Sequence, residues 1–242
     1  MEKGSSSVRS FLSKRMQRAA QMVTVGNRVA DIGCDHAYTS IFLVQEGIAP
    51  SAVAMDVREG PIARATGNIR RFGMEERITA RLSDGVERLA EGEADTLLLA
   101  GMGGLLVRDI LSAKPALLNT IQELVLQPQS DVDEVRRFLH RSGFRITEED
   151  MLFEDGKFYT FLRAEHGNEE IYSELEYRYG RYILKQGSPV FLDFLREERQ
   201  KMQNFLQQME DAQGERSLTR KQELLTILQM NREACESAER GR

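Results

Sequence analysis

Hydrophobic positions along the chain switch between two periods, and the switches mark its elements. Residues 10–23 carry Phe11, Leu12, Met16, Ala19, Ala20 and Val23 at helical spacing, with Lys14, Arg15 and Arg18 among them. A short β-rich run follows at 28–32 and closes at Gly33. The pattern then predicts a helix at 38–45, a strand at 52–56, a helix at 60–72 stopped near Gly73, and a strand at 78–82 leaving through Ser83-Asp84-Gly85. An apolar strand at 94–100 leaves through Gly101-Met102-Gly103-Gly104 into a helix at 105–111. A strand at 123–126 is broken by Pro128, and a helix at 132–140 ends at Ser142-Gly143. Strands at 145–153 and 157–164 flank the hairpin signal Asp155-Gly156.

Strands alternating with helices mean a mostly parallel sheet covered on both faces. A terminal antiparallel hairpin added to it is a specific arrangement. Beyond about His166 the pattern becomes helical throughout. Ser188-Pro189 opens a long helix, whose apolar positions Phe191, Leu195, Met202, Phe205 and Met209 are interrupted by Glu198. Gly214 breaks the run, and Leu218, Leu225, Leu228 and Cys235 continue it on a second helix. The expected result is an antiparallel coiled-coil hairpin. The chain therefore divides into a sheet domain at 1–166 and a helical domain at 167–242.

Composition narrows the function classes. The 242 residues are 41% hydrophobic, enough for a core, and the formal charge of −5 argues against a uniformly basic nucleic-acid coat. A local basic patch remains compatible, because charge acts over roughly 8 Å in the cell. Cys34 and Cys235 form neither a disulfide framework nor a zinc spacing, and the histidines have no ligand partners, so no metal is expected. No apolar run approaches the roughly 20 residues that span a bilayer. The start Met1-Glu2-Lys3-Gly4-Ser5-Ser6-Ser7 reads as a polar, flexible segment and not as a signal peptide. A cytoplasmic protein is expected, monomeric or at most a weak dimer.

Ligands of open parallel sheets bind beyond the carboxyl ends of the strands, so the chemistry is sought at the strand exits. The first is Asp31-Ile32-Gly33-Cys34-Asp35-His36-Ala37-Tyr38. Gly33 permits a tight turn and close backbone approach. The further glycines of a dinucleotide fingerprint are absent, and Asp35 stands where the second would be. A carboxylate there repels a pyrophosphate but suits a sulfonium or an amino group, which points to S-adenosylmethionine. Asp56 at the second exit is placed to accept from ribose hydroxyls, and Asp84, beside Gly85, from an adenine amino group. Each acid could instead cap the following helix. At the fourth exit Ala100 and the bare backbone of Gly101, Met102 and Gly103 leave room for a flat base. Gln127 and Gln129 at the fifth carry amides able to read a base edge. His36 adjoins the first turn, as a candidate base or cofactor contact, or as a structural hydrogen-bonder.

The segment 31–38, Leu99-Ala100-Gly101-Met102-Gly103-Gly104, Leu126-Gln127-Pro128-Gln129 and Glu154-Asp155-Gly156-Lys157-Phe158-Tyr159 resemble the bacterial tRNA adenine-N1 methyltransferase family called TrmK, as does the basic opening Leu12-Ser13-Lys14-Arg15-Met16. The likeness runs from about Leu12 to the C-terminus. It implies an α/β fold: a Rossmann-like methyltransferase sheet, mostly parallel with the last strand antiparallel, and a C-terminal helical coiled-coil domain. It also implies methylation of N1 of adenine 22 in tRNA, with S-adenosylmethionine as donor held at Gly33, Asp35, Asp56 and Asp84. Asp56 stands where Glu is expected and Gln129 where Asn is expected.

With a neutral nucleophile and an activated methyl, orientation and desolvation supply most of the catalysis. Asp35 is the expected stabiliser of the positive charge that develops on the purine, or else fixes the cofactor amino group. Lys14, Arg15 and Arg18 are the candidate phosphate contacts; a solvated charged face is the plainer alternative. Two other functions stay open: methylation of a small molecule or protein, and a non-catalytic, cofactor-binding RNA scaffold. A nicotinamide dehydrogenase is excluded by the missing glycines.

Overall fold

The computed structural model describes residues 8–209 and 215–240. The polar start at 1–7 and the helix break at Gly214 lie outside the described residues. In chain order, a 3-10 turn (Val8–Phe11) precedes α1 (Lys14–Gln21), β1 (Val29–Ile32), α2 (Tyr38–Gln45), β2 (Ala52–Asp56), α3 (Glu59–Arg71), β3 (Ile78–Leu82) and β4 (Thr96–Met102). Then come α4 (Gly104–Ser112), α5 (Pro115–Leu118), β5 (Glu123–Pro128), α6 (Val132–Arg141), β6 (Phe144–Glu154) and β7 (Lys157–His166). The helices α7 (Glu174–Tyr179), α8 (Arg181–Gln186), α9 (Pro189–Gln208) and α10 (Glu215–Arg240) complete the chain.

The seven strands form one sheet in the order β3-β2-β1-β4-β5-β7-β6. β1 pairs in parallel with both β2 and β4, so the strand order reverses between β1 and β4. β7 inserts antiparallel beside β5. Every residue of β1, β2 and β5 is buried, as expected for strands covered on both faces. The mostly parallel sheet with antiparallel final strands and a helical C-terminal region is the fold class read from the sequence.

Several boundaries differ from the sequence reading. The first helix is split, because Ser13 is extended and its hydroxyl accepts from the Met16 amide at 3.3 Å, capping α1 and leaving Phe11 in the preceding turn. β4 and β5 run two residues further than expected. Their pairing continues through Ala100 with Gln127 and Met102 with Pro128, across a register shift that leaves Gly101 without a partner in the ladder. Pro128 is tolerated at this strand end because the next amide, Gln129 N, donates to Met102 O at 2.8 Å. The short helix α5, opened by Pro115, was not expected.

Contacts divide the chain into two compact units. One holds the chain up to Glu148 with Tyr159–Glu170, the other Glu149–Phe158 with the chain from Ile171 onward. The sequence reading had a single cut after residue 166. The hairpin tip groups with the helices because Met151 is buried in one cluster with Tyr179, Phe191 and Leu195, and Phe158 packs on that cluster. In this second unit α9 and α10 lie antiparallel, with Asn231 donating to the Leu195 carbonyl and Arg199 to Asn231. Glu198, which interrupts the apolar stripe, accepts from Arg178, the Tyr179 hydroxyl and Asn231. The stripe expected along both helices is buried only in part. Phe191, Leu195 and Leu228 are buried, whereas Phe205, Leu218 and Leu225 are exposed; Leu224, Ala234 and Ala238, outside the expected stripe, are buried as well.

Candidate active site

The exits of the first five strands meet α1 around a cavity of about 650 Å³, within the roughly 300–1,000 Å³ usual for small-ligand sites. The turn leaving β1 forms one wall. Gly33 and Cys34 both donate to the Met55 carbonyl, at 2.8 and 2.9 Å, which ties this turn to β2. Gly33, Asp35 and Ala37 all have positive φ, of 77°, 47° and 57°. Asp tolerates that conformation, whereas Ala pays roughly 1–2 kcal/mol for it. Backbone strain of this kind is concentrated where a loop must hold one shape.

Asp31 is not part of the wall. Its carboxylate is buried inside β1 and accepts from the Ser40 hydroxyl at 2.7 Å. Burial pushes its pKa up to about 6, against the opposing effect of the Ser40 hydrogen bond. The neighbouring Cys34 thiol is also pushed up, by burial first and then by nearby carboxylates.

The three acids at successive exits do line the cavity, and none caps a helix. The N-cap of α2 is Ala37 and that of α3 is Arg58, neither with a side-chain cap bond. The turn after β3 is closed by the Ser83 hydroxyl, which donates to Gly85 O and accepts from Arg88 N. Asp56 is buried. Its Oδ1 accepts from the Arg58 amide at 3.0 Å, and among the described residues no donor reaches Oδ2. Asp84 is exposed to the cavity, beside Gly85. A Cβ on Gly85 would press on Ile110 at 2.9 Å. Asp35 is over half exposed, with Arg64 Nη2 at 3.1 Å and His36 Nε2 at 3.4 Å from its oxygens.

His36 is stacked on Tyr38, with centroids 5.6 Å apart, and Tyr38 on Phe11 at 5.2 Å. These rings belong to the cavity wall. Phe11 and Tyr38 were not anticipated as site residues. Phe11 reads as one more apolar helix position, and only its 44% exposure in the folded chain sets it apart.

Ala100, Gly101 and Met102 form the floor at the β4 exit. Gly103 lies outside the wall, as the extended N-cap of α4. Its neighbour Gly104 is needed for packing, since a Cβ there would collide with the carbonyls of Ser130 and Asp131. The basic residues of α1 separate. Lys14 is exposed and outside the wall. Arg18 pairs with Glu148 at 2.7 Å. Arg15 lines the cavity, donating to Gln127 Oε1 at 2.6 Å with its guanidinium 5.1 Å over the Tyr159 ring. Gln129 also lines it, whereas Gln127 is fully buried in β5. Gln127 is thus no surface amide; its Nε2 donates to Pro128 O at 3.2 Å.

The donor set suits S-adenosylmethionine. At the β2 exit Asp56, whose Oδ2 meets no donor among the described residues, matches a ribose hydroxyl, and Gly33 presents bare backbone against the methyl of Met102. Three acids around one cavity would repel a pyrophosphate. Among the described residues no group of three His, Cys, Asp or Glu is arranged to hold a metal ion, and no helix is long and apolar enough to cross a membrane.

Residues 12–162 match the family model described as a methyltransferase domain. The chain is 34% identical over 206 residues to the Bacillus subtilis (strain 168) tRNA (adenine(22)-N(1))-methyltransferase, covering 83% of this chain and 87% of that one. The crystal structure of the B. subtilis M1A22 tRNA methyltransferase TrmK superposes with a TM-score of 0.85 at 32% identity, over 93% of this chain and 98% of that one. Streptococcus pneumoniae Sp1610, crystallised in complex with S-adenosyl-L-methionine, superposes with a TM-score of 0.84 at 34% identity, over 93% and 99%.

Proposed function

The chain belongs to the methyltransferase family that includes the B. subtilis tRNA (adenine(22)-N(1))-methyltransferase, and from that premise we propose that it methylates N1 of adenine 22 in tRNA with S-adenosylmethionine as donor. The observation that carries the reading is the cavity at the strand exits, with acids at three exits and bare backbone at the fourth.

The bound cofactor supplies a methyl group already activated on a sulfonium. This chain's residues bind and orient. Asp56 Oδ2 accepts from the ribose hydroxyls, and Asp84 from the adenine amino group of the donor. Gly33 lets the donor lie against the backbone of the β1 exit. Asp35 supplies negative potential beside the reacting centre, tempered by Arg64. Ala100, Gly101 and Met102 offer a floor for the flat base of the target. N1 lies on the Watson–Crick edge, so the target must leave its stack before it enters, at a cost of a few kcal/mol. No side chain has to remove a proton, because N1 of adenine is neutral and unprotonated at its nucleophilic lone pair. Rate enhancement then comes from holding two reactants in line and excluding water, worth roughly 7–11 kcal/mol when geometry is good.

The test is methylation in vitro of a tRNA transcript with adenine at position 22, beside the same transcript carrying guanine there. Methyl incorporation mapped to N1 of that adenine and absent from the guanine transcript is expected. Incorporation into a metabolite extract but not into tRNA would replace this reading by small-molecule methylation.

A further inference from the structure

The exits of β1, β2 and β3 present Asp35, Asp56 and Asp84, which are acceptors. Over the β4 exit lie donors, from α1 and from the β5 exit. Arg15 Nη1 lies 3.4 Å, and Gln129 Nε2 3.8 Å, from the point where a Cβ on Gly101 would sit. Gly101 has φ +82° and stands at the register shift of β4 against β5. Such a bulge re-aims the backbone beside a site. Two donors thus overhang the bare backbone of the β4 exit.

We propose that Arg15 is a binding residue for the target nucleotide, held in place by Gln127 and Tyr159, which act as positioning residues. This rests on the proposed tRNA adenine methylation and deepens it. Arg15 departs from the solvated face expected of a basic helix position. Its guanidinium is held from two directions, by the Gln127 carbonyl oxygen at 2.6 Å and by the Tyr159 ring at 5.1 Å. Gln127 has no exposure, and its amide nitrogen is engaged by Pro128 O. Only its oxygen can face a guanidinium, which has no acceptor. Tyr159, at the end of the 154–159 motif, lies in β7 and presents its ring to Arg15. A planar fork fixed in this way loses little further freedom on binding an acceptor.

The acceptor cannot be N1, whose lone pair must face the methyl group. It is either the ring nitrogen N7 or a phosphate oxygen of the same extruded nucleotide; both are acceptors and Arg15 is a donor. Gln127→Met removes the strut at similar volume, and Arg15→Lys keeps the charge without the fork.

The experiment measures steady-state methylation of tRNA transcripts, with donor affinity by calorimetry, for wild type, Arg15→Lys, Arg15→Ala and Gln127→Met. All three variants are expected to lower kcat/KM for tRNA roughly ten- to hundredfold, mainly through KM, as for loss of one good directional contact. Donor Kd should stay within about twofold. A 7-deazaadenosine at position 22 should reproduce the Arg15→Ala loss in the wild type if N7 is the acceptor. If phosphate is the acceptor it leaves the wild type unaffected, and Arg15→Ala instead lowers the salt dependence of tRNA binding. Should Gln127→Met fail to fold, the two Arg15 variants decide. Unchanged tRNA kinetics in both Arg15 variants, or a donor Kd raised as much as the tRNA KM, overturns the proposal. Wild-type protein that binds donor but methylates no tRNA overturns the functional reading beneath it instead.

Discussion

The terminal methyl of Met102, at the end of β4, fills the space that a side chain on Gly33, at the end of β1, would need. These strands are neighbours at the point where the sheet order reverses, so one glycine and one flexible side chain set the depth of the cavity there. Gly33→Ala should displace Met102 and also place a Cβ at φ +77°, a conformation costing roughly 1–2 kcal/mol outside glycine. The expected outcome is a lower melting temperature and a donor affinity weakened at least tenfold. Calorimetric titration showing wild-type affinity would remove Gly33 from the donor site.

Asp56→Asn keeps the volume and the Arg58 amide bond through its carbonyl oxygen, but weakens or inverts the free acceptor. A hydrogen bond to a charged group contributes about 1.5–3 kcal/mol, so donor Kd should rise roughly ten- to hundredfold. The tRNA KM at saturating donor should hardly change. Equal loss for both substrates would argue against a contact confined to the donor.

Asp35→Asn is a clean charge substitution, because Asn accepts the positive φ that Asp35 adopts. An unpaired carboxylate at the reacting centre would be worth a hundredfold in turnover. Here the group is over half exposed and already paired with Arg64, and exposed pairs are strongly screened. Turnover at saturating substrates should therefore fall by about tenfold. Undiminished turnover would sink the electrostatic role.

The Asp31 carboxyl couples stability to pH. Its folded pKa of about 6 lies above the ordinary value of 3.8, so the folded protein holds this proton more tightly than the unfolded chain. The resulting stabilisation is full below about pH 3.8 and is lost as pH rises through 6. Asp31→Asn has no such proton to lose. The stability of Asp31→Asn relative to wild type should increase by about 2 kcal/mol between pH 4.5 and 7.5. Urea denaturation across that range checks it; a pH-independent difference would mean that the carboxylate is solvated.

Local pattern by itself determined the order and kind of nearly all the elements of the sheet. Periods of two and of about 3.6 residues are set by which faces each segment buries, and Gly33, Ser188-Pro189 and Asp155-Gly156 mark its turns through backbone geometry alone. The same logic put acids and glycines at strand exits, since parallel sheets expose only those edges to ligands. Tertiary packing decided which of these residues share a cavity. Asp31 and Gln127 read like site residues yet are buried, because β1 and β5 lie inside the sheet with both faces covered. Arg15 and Arg18 read alike, but one is held against Gln127 and Tyr159 while the other pairs with Glu148, partners 112 and 130 residues away. A helix period says which residues share a face; it carries no information on what distant segment that face will meet.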